Sequence, residues 1–135
     1  MTIRRLVRNS IAKENPVNAA HDVLTQLLDA MASKKWEQLP DLYAEDVVIE
    51  HPLSGPDATV RGRDKVREHA ARLATVGDLA IETVAVHETD DPEVVIHEFT
   101  NRATFDGEQV TMAGIRVMRV RDGVIVSSRD YGNRR

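Results

Sequence analysis

The chain has 135 residues, 22 acidic and 18 basic, and a net charge of −4. One domain of this length buries roughly two-thirds of the surface its unfolded chain exposes, and 41% apolar residues place it among globular rather than disordered chains. With no cysteine, disulfide frameworks, Cys-based zinc sites and thiol nucleophiles are excluded. The mild acidity argues against nucleic acid as a partner. No stretch approaches 18 consecutive apolar residues, so no membrane span is expected. Arg4-Arg5 lacks the apolar stretch of a twin-arginine signal, since Arg8-Asn9-Ser10 and Lys13-Glu14-Asn15 follow. A cytoplasmic location is the expectation.

Residues 1–15 are basic and polar and read as a loose arm, leaving 16–135 as a single domain. Ala20, Val23, Leu24, Leu27, Leu28 and Met31 form the stripe of an amphipathic helix. Ser33-Lys34-Lys35 closes it with cations at the negative end of the helix dipole. A second short helix is expected to carry Trp36, Leu39, Leu42 and Tyr43, with Pro40 tolerated in its first turn. Val47 to His51 reads as a strand ended by Pro52, and Ser54-Gly55-Pro56-Asp57 as a loop. Asp64 is the expected cap of a third helix with Val66, His69, Ala70 and Leu73 inside, stopped by Gly77-Asp78. Four strands follow: Leu79 to His87, Glu93 to Phe105, Gln109 to Val120 and Val124 to Tyr131. Asp106-Gly107 and Asp122-Gly123 mark two tight hairpins between them. Helices followed by an antiparallel meander make an α+β order.

Three phrases carry a family likeness: Leu42-Tyr43-Ala44-Glu45-Asp46-Val47-Val48-Ile49-Glu50-His51-Pro52, then Arg61-Gly62-Arg63-Asp64-Lys65-Val66-Arg67, then Arg119-Val120-Arg121-Asp122-Gly123-Val124-Ile125, ending in Ser128-Arg129-Asp130-Tyr131. This pattern resembles the nuclear-transport-factor-2-like superfamily, and within it the SnoaL-like branch, which neighbours ketosteroid isomerases and limonene-epoxide hydrolases. The resemblance implies a cone: three N-terminal helices packed on a strongly curved, mainly antiparallel sheet around an internal pocket. It also implies a homodimer through the outer sheet face. One such scaffold hosts many reactions, so the reaction must be argued from the site.

The isomerases place their general base immediately before the proline that ends the first strand, which here is His51. An imidazole, with an ordinary pKa of about 6.5, suits proton abstraction near neutrality. The isomerase oxyanion hole does not carry over, because its tyrosine matches Leu27 and its acid matches Arg116. The hydrolases have an Arg-Asp-Tyr phrase in the last strand, matched by Arg129-Asp130-Tyr131, and an Arg-x-Asp pair that lands on His97-Glu98-Phe99. One carboxylate is kept and its partner acid is missing.

Strand side chains alternate between faces. Val95, His97, Phe99 and Asn101 therefore share one face, as do Gly114, Arg116, Met118 and Val120, and as do Val126, Ser128 and Asp130. His51, Asp130, His97 and Arg116 are the expected catalytic set: His51 moves the proton, Asp130 and His97 orient or charge-balance it, and Arg116 holds developing negative charge. Trp36, Tyr43, Leu27, Phe99, Met118 and Ser128 are the expected walls of the substrate site. Structural alternatives stand beside these roles. His51 is also placed to bond a loop carbonyl, Asp130 to pair with Arg116 or Arg129, and a one-residue slip puts Glu98 inward in place of His97. His69 reads as a packed or half-exposed helix residue, and His21 and His87 as element-end residues.

No His-x-x-x-His spacing, glycine-rich phosphate loop or nucleophile elbow occurs, so neither a metal nor a cofactor is expected. The function expected is cofactor-independent acid–base chemistry on a small apolar organic molecule, namely isomerisation or cyclisation through an enolate. Epoxide opening and a non-catalytic ligand-binding module are the alternatives.

Overall fold

The computed structural model describes residues 18–133, so the predicted arm at 1–15 lies outside the described residues. Helix α1 runs Ala19–Ala32. Asn18 caps it, its side-chain oxygen accepting the His21 backbone N–H at 2.8 Å. Ala20, Val23, Leu24 and Leu27 are its buried stripe, as the periodicity predicts. Helix α2 runs Arg63–Leu73 and buries Val66 and Ala70. Gly62 is its N-cap, in place of the expected Asp64, whose carboxylate instead accepts from Arg67 at 2.7 Å. Gly62 stands at φ 94°, a left-handed conformation that glycine adopts without strain.

Among the described residues two α-helices are present, not three. The predicted second helix is a single 3-10 turn over Leu39–Leu42. Pro40 sits in that turn without an N–H to extend it, and Tyr43 already starts the first strand.

The strands are β1 (Tyr43–Glu50), β2 (Val60–Arg61), β3 (Gly77–Glu88), β4 (Val94–Phe105), β5 (Glu108–Arg121) and β6 (Val124–Asn133). They form one six-stranded sheet in the order β2-β1-β6-β5-β4-β3, with β2 and β3 as its edges. Every pairing is antiparallel except β1 with β6, which is parallel. Both predicted hairpins are present. Asp106-Gly107 and Asp122-Gly123 each hold two consecutive positive φ angles, the twist a two-residue antiparallel turn requires. The pairing slips between Thr83 and Ala85, between Arg119 and Val120, and between Tyr43 and Val48. Such bulges shift which side chains face inward beyond them.

The core lies between α1, α2 and one sheet face. It joins Leu24, Leu27, Val66 and Ala70 to Val47, Val95, Met118, Val120 and Ile125. α1 is tied to the far end of β3 and its turn by His21 Nδ1 to Glu88 at 2.8 Å and by the Ala20 N–H to the Pro92 carbonyl. α2 is tied to β1 by Arg63 Nε–H donating to the Tyr43 carbonyl at 2.9 Å and by the Gly62 N–H to the Val47 carbonyl at 2.8 Å.

Candidate functional site

The inward face follows the predicted alternation on β4. Val95, His97 and Phe99 are buried, while Glu98 faces the other way and bonds His87 across to β3. The alternation also holds on β5, where Met118 and Val120 are buried. On β6 it fails at one place: Ile125, not Val126, reaches the core. The bulge opposite Arg119–Val120 inserts a residue there and reverses the alternation below Ser127.

Sheet register brings the predicted residues into one row. His97 pairs with Arg116 across β4–β5, and Arg116 pairs with Asp130 across β5–β6. Beside β6, Ile49 matches Ser128 and Glu50 matches Arg129, so His51 follows at the level of Asp130. His97, Arg116 and Asp130 thus stand side by side because the sheet carries them there, with His51 just past the end of β1.

His51 stands just past β1. Its Nδ1 is 2.8 Å from the Ala58 carbonyl oxygen, which only accepts, so Nδ1 carries the proton and Nε2 the lone pair. Asp130 accepts the Ser128 hydroxyl at 2.6 Å. Neither alternative ion pair forms: Arg129 lies 3.4 Å from Glu50 and also donates to the Tyr131 hydroxyl at 3.1 Å, and Arg116 closes no salt bridge among the described residues. The Arg116 guanidinium lies over the Phe99 ring, 4.5 Å from its centre, and His97 stacks on the same ring at 5.1 Å and 22°. Gly114 makes this possible. A Cβ there would stand 2.6 Å from the Phe99 ring, so only glycine leaves the ring its place.

His97 is fully enclosed, at 0% exposure. Burial, helped by the nearby Arg116 charge, pushes its pKa down to about 4. It is therefore a neutral hydrogen-bonding ring at physiological pH, and the charge-balancing role expected of it does not suit that state. Its Nε2 is 2.9 Å from the Thr83 hydroxyl. Its Nδ1, together with Arg116 Nε and Asn101 Oδ1, is buried without a hydrogen-bond partner among the described residues. Tyr43, expected as an apolar wall, brings a polar group as well. Burial pushes its phenol up to about 12, with Arg116 pulling it down and Asp130 pushing it up, so it stays an O–H donor. His69, set aside in the sequence, belongs to the same neighbourhood. Its pKa is lowered by desolvation first, then by the charges of Arg72 and His51, against the opposing Asp130 carboxylate. A histidine on an otherwise apolar helical stripe was the signal that could have drawn attention to it.

Leu27, Met118 and Ser128 are buried on this side as core residues, and Trp36 packs partly buried against that core. A groove of about 380 Å³ lies between α1 and β3, lined by Leu28, Met31, Ala32, Leu79, Ile81 and Thr83 among others, and none of His51, His97, Arg116 and Asp130 lines it. A second, shallower groove of about 360 Å³ lies on the opposite sheet face, among Leu53, Val84, Glu98, Ile115 and Tyr131. Among the described residues, no three His, Asp or Glu side chains come together as a metal site, and no helix is long and apolar enough to cross a membrane.

The buried His97 carries a stability prediction. Its folded pKa lies below the unfolded value, so on acidification the unfolded chain takes up the proton first. The stabilisation is whole above a pH of about 6.5 and is lost as pH falls toward about 4, by up to about 1.4 kcal/mol per pH unit. Urea unfolding across that window should show the loss, and His97→Asn should flatten it. An unchanged slope in the variant would assign the acid sensitivity to other groups.

A six-stranded sheet faced by helices, with β1 parallel to β6 and a polar row on the inner face, is the nuclear-transport-factor-2-like fold. A Mycobacterium tuberculosis protein solved with estradiol-17β-hemisuccinate shares it at a TM-score of 0.75 and 20% identity, over 86% of this chain and 95% of that one. So does a limonene-epoxide-hydrolase-like epoxide hydrolase of the same organism, at a TM-score of 0.73 and 21% identity, over 87% and 84%. The SnoaL-like domain family matches residues 24–128, and the chain belongs to that family. An uncharacterized PhzA/B-like protein of Pseudomonas aeruginosa is 32% identical over 118 residues, 84% of each chain.

Proposed function

We propose that the chain is a cofactor-independent acid–base enzyme acting on a small, largely apolar carbonyl compound. The observation that carries this reading is the His51 Nδ1–H bond to the Ala58 carbonyl, which points a free Nε2 lone pair away from the loop. In the proposed step, Nε2 takes the proton from the carbon next to the carbonyl, giving an imidazolium and an enolate. The Arg116 guanidinium and the Tyr43 hydroxyl stabilise the enolate oxygen. Asp130, held by Ser128, stabilises the imidazolium, which returns the proton to a different carbon and completes an isomerisation. An enolate that attacks a second carbonyl in the same molecule before that return would close a ring instead.

The experiment is hydrogen–deuterium exchange at the α-carbon of a panel of small cyclic ketones in deuterated buffer, followed by NMR. The reading expects catalysed exchange for at least one member. Saturable binding with no exchange across the panel would favour a non-catalytic ligand-binding module. Epoxide opening is the second reading, favoured by the Ser128–Asp130 bond, which presents a carboxylate able to activate water; hydrolysis of a small terminal epoxide tests it.

A homodimer through the outer sheet face completes the proposal. Leu53, Val84 and Ile115 are exposed there around the second groove, and a second copy would cover them. Sedimentation is expected to give a dimer for the native chain and a monomer for Ile115→Glu. A monomeric native chain would remove this part of the reading.

A further inference from the structure

The second half of α1 and the edge strand β3 enclose a groove with mixed walls: Leu28, Met31, Leu79 and Ile81 supply apolar surface, and Asp29 and Thr83 supply polar groups. A sheet edge beside apolar surface invites another chain segment, and native proteins cover such edges. The charge around the groove is of one sign. Asp22 and Asp29 are seven positions apart, so they share a face of α1, and both are exposed. Neither belongs to an ion pair among the described residues. The last turn of α1 holds no cation, and Lys34 and Lys35, which follow it, do not line the groove.

A segment of matching chemistry belongs to the same chain. Residues 1–17, outside the described residues, hold Arg4, Arg5, Arg8 and Lys13 against Glu14 alone. That is a net +3 in a chain of net −4, which leaves −7 for the rest. Ile3, Leu6, Val7 and Ile11 are interleaved with those cations. The segment joins the domain at Asn18, the N-cap of α1. From Asn18 to Asp29 the helix rises about 16 Å, at roughly 1.5 Å per residue. The ten residues from 8 to 17 reach about 33 Å when extended, twice that distance. We propose that residues 1–17 turn back along the Asp22–Asp29 face of α1 and seat Leu6 and Val7 in the groove between α1 and β3, with Arg4, Arg5 and Arg8 beside the two carboxylates. Attachment at Asn18 makes this an intramolecular contact, favoured whatever the protein concentration. None of His51, His97, Arg116 and Asp130 lines the groove, so the inference stands apart from the acid–base reading.

The chain has no cysteine, so Ser10→Cys places one nitroxide label at one position of the full chain. Paramagnetic broadening of the Leu28, Met31, Leu79 and Ile81 methyl signals should exceed that of Leu53 and Ile115, on the outer sheet face, by about tenfold. The contrast should survive dilution. It should vanish when the nitroxide chain is mixed with an isotopically labelled native chain, because the segment acts on its own domain. Arg4→Glu/Arg5→Glu/Arg8→Glu and, separately, Leu6→Ser/Val7→Ser should each cut the groove broadening at least threefold. None of these positions belongs to α1, α2 or the sheet, so the variants keep the fold. Asp29→Lys, at an exposed helix position, should have the same effect from the groove side. Equal broadening on both sheet faces, or none in the groove, would overturn the proposal. Broadening in the mixed sample would overturn it in favour of a second copy as the occupant. A loss confined to the charge variants, with Leu6→Ser/Val7→Ser like the native chain, would overturn the seating. Ketone exchange bears on the acid–base reading alone, and the nitroxide contrast on this one alone.

Discussion

His51→Gln is expected to slow α-proton exchange of a responsive ketone by about 10²–10⁴-fold, the usual contribution of a positioned general base. The glutamine amide N–H can still donate to the Ala58 carbonyl, so the loop that His51 holds at 2.8 Å keeps its bond. What disappears is the basic nitrogen. Ketone affinity, read by chemical-shift titration, should change little, because the loss falls on the rate of the chemical step and not on ground-state binding. His51→Ala is a harsher control. It strands the Ala58 carbonyl as well, which costs about 1 kcal/mol of stability, so a rate loss seen in alanine and absent in glutamine would reassign His51 from base to loop anchor.

The second large effect concerns stability and the shape of the site together. Gly114→Ala is expected to destabilise the fold by about 1–3 kcal/mol, the usual cost of adding atoms to a packed interior. The added Cβ would stand 2.6 Å from the Phe99 ring. That ring has little freedom to retreat, because His97 stacks on it and the Arg116 guanidinium covers it. Thermal unfolding should report a lower Tm. In a Phe99→Leu background the same Gly114→Ala change should cost much less, because the smaller side chain yields the space; a double-mutant cycle measures that coupling directly. Equal costs in both backgrounds would show that Gly114 is required for backbone reasons and not for the ring. The same displacement would move Arg116, so Gly114→Ala should also lower ketone exchange.

Much of this architecture was legible before any coordinates. α1 announced itself by spacing, since residues three and four apart share a helical face whatever they pack on. The two Asp-Gly turns were equally plain, because few residue pairs accept two successive positive φ angles. The second helix was misread for an opposite reason. Leu39, Leu42 and Tyr43 have helical spacing, yet that spacing is also met by one 3-10 turn leading into a strand, and Pro40 supplies no N–H with which to continue. Val126 was misplaced because a bulge leaves no mark in the alternation that precedes it.

The candidate site divides in the same way. Likeness of phrase points to His51 and Asp130, and alternation to His97 and Arg116; the sheet register sets His97, Arg116 and Asp130 in one row, with His51 just past the end of β1. Local sequence was enough for the face that β4 and β5 present, because alternation depends on neighbours one or two positions away, and it failed on β6 where the bulge intervenes. It was silent on the rest: that His97 is driven neutral by burial, that Tyr43 keeps its proton beside Arg116 and Asp130, that Thr83 reaches His97, and that His69 joins the group. Burial, charge proximity and hydrogen bonding between strands are sums over the whole packed molecule, and only the tertiary structure sets their terms.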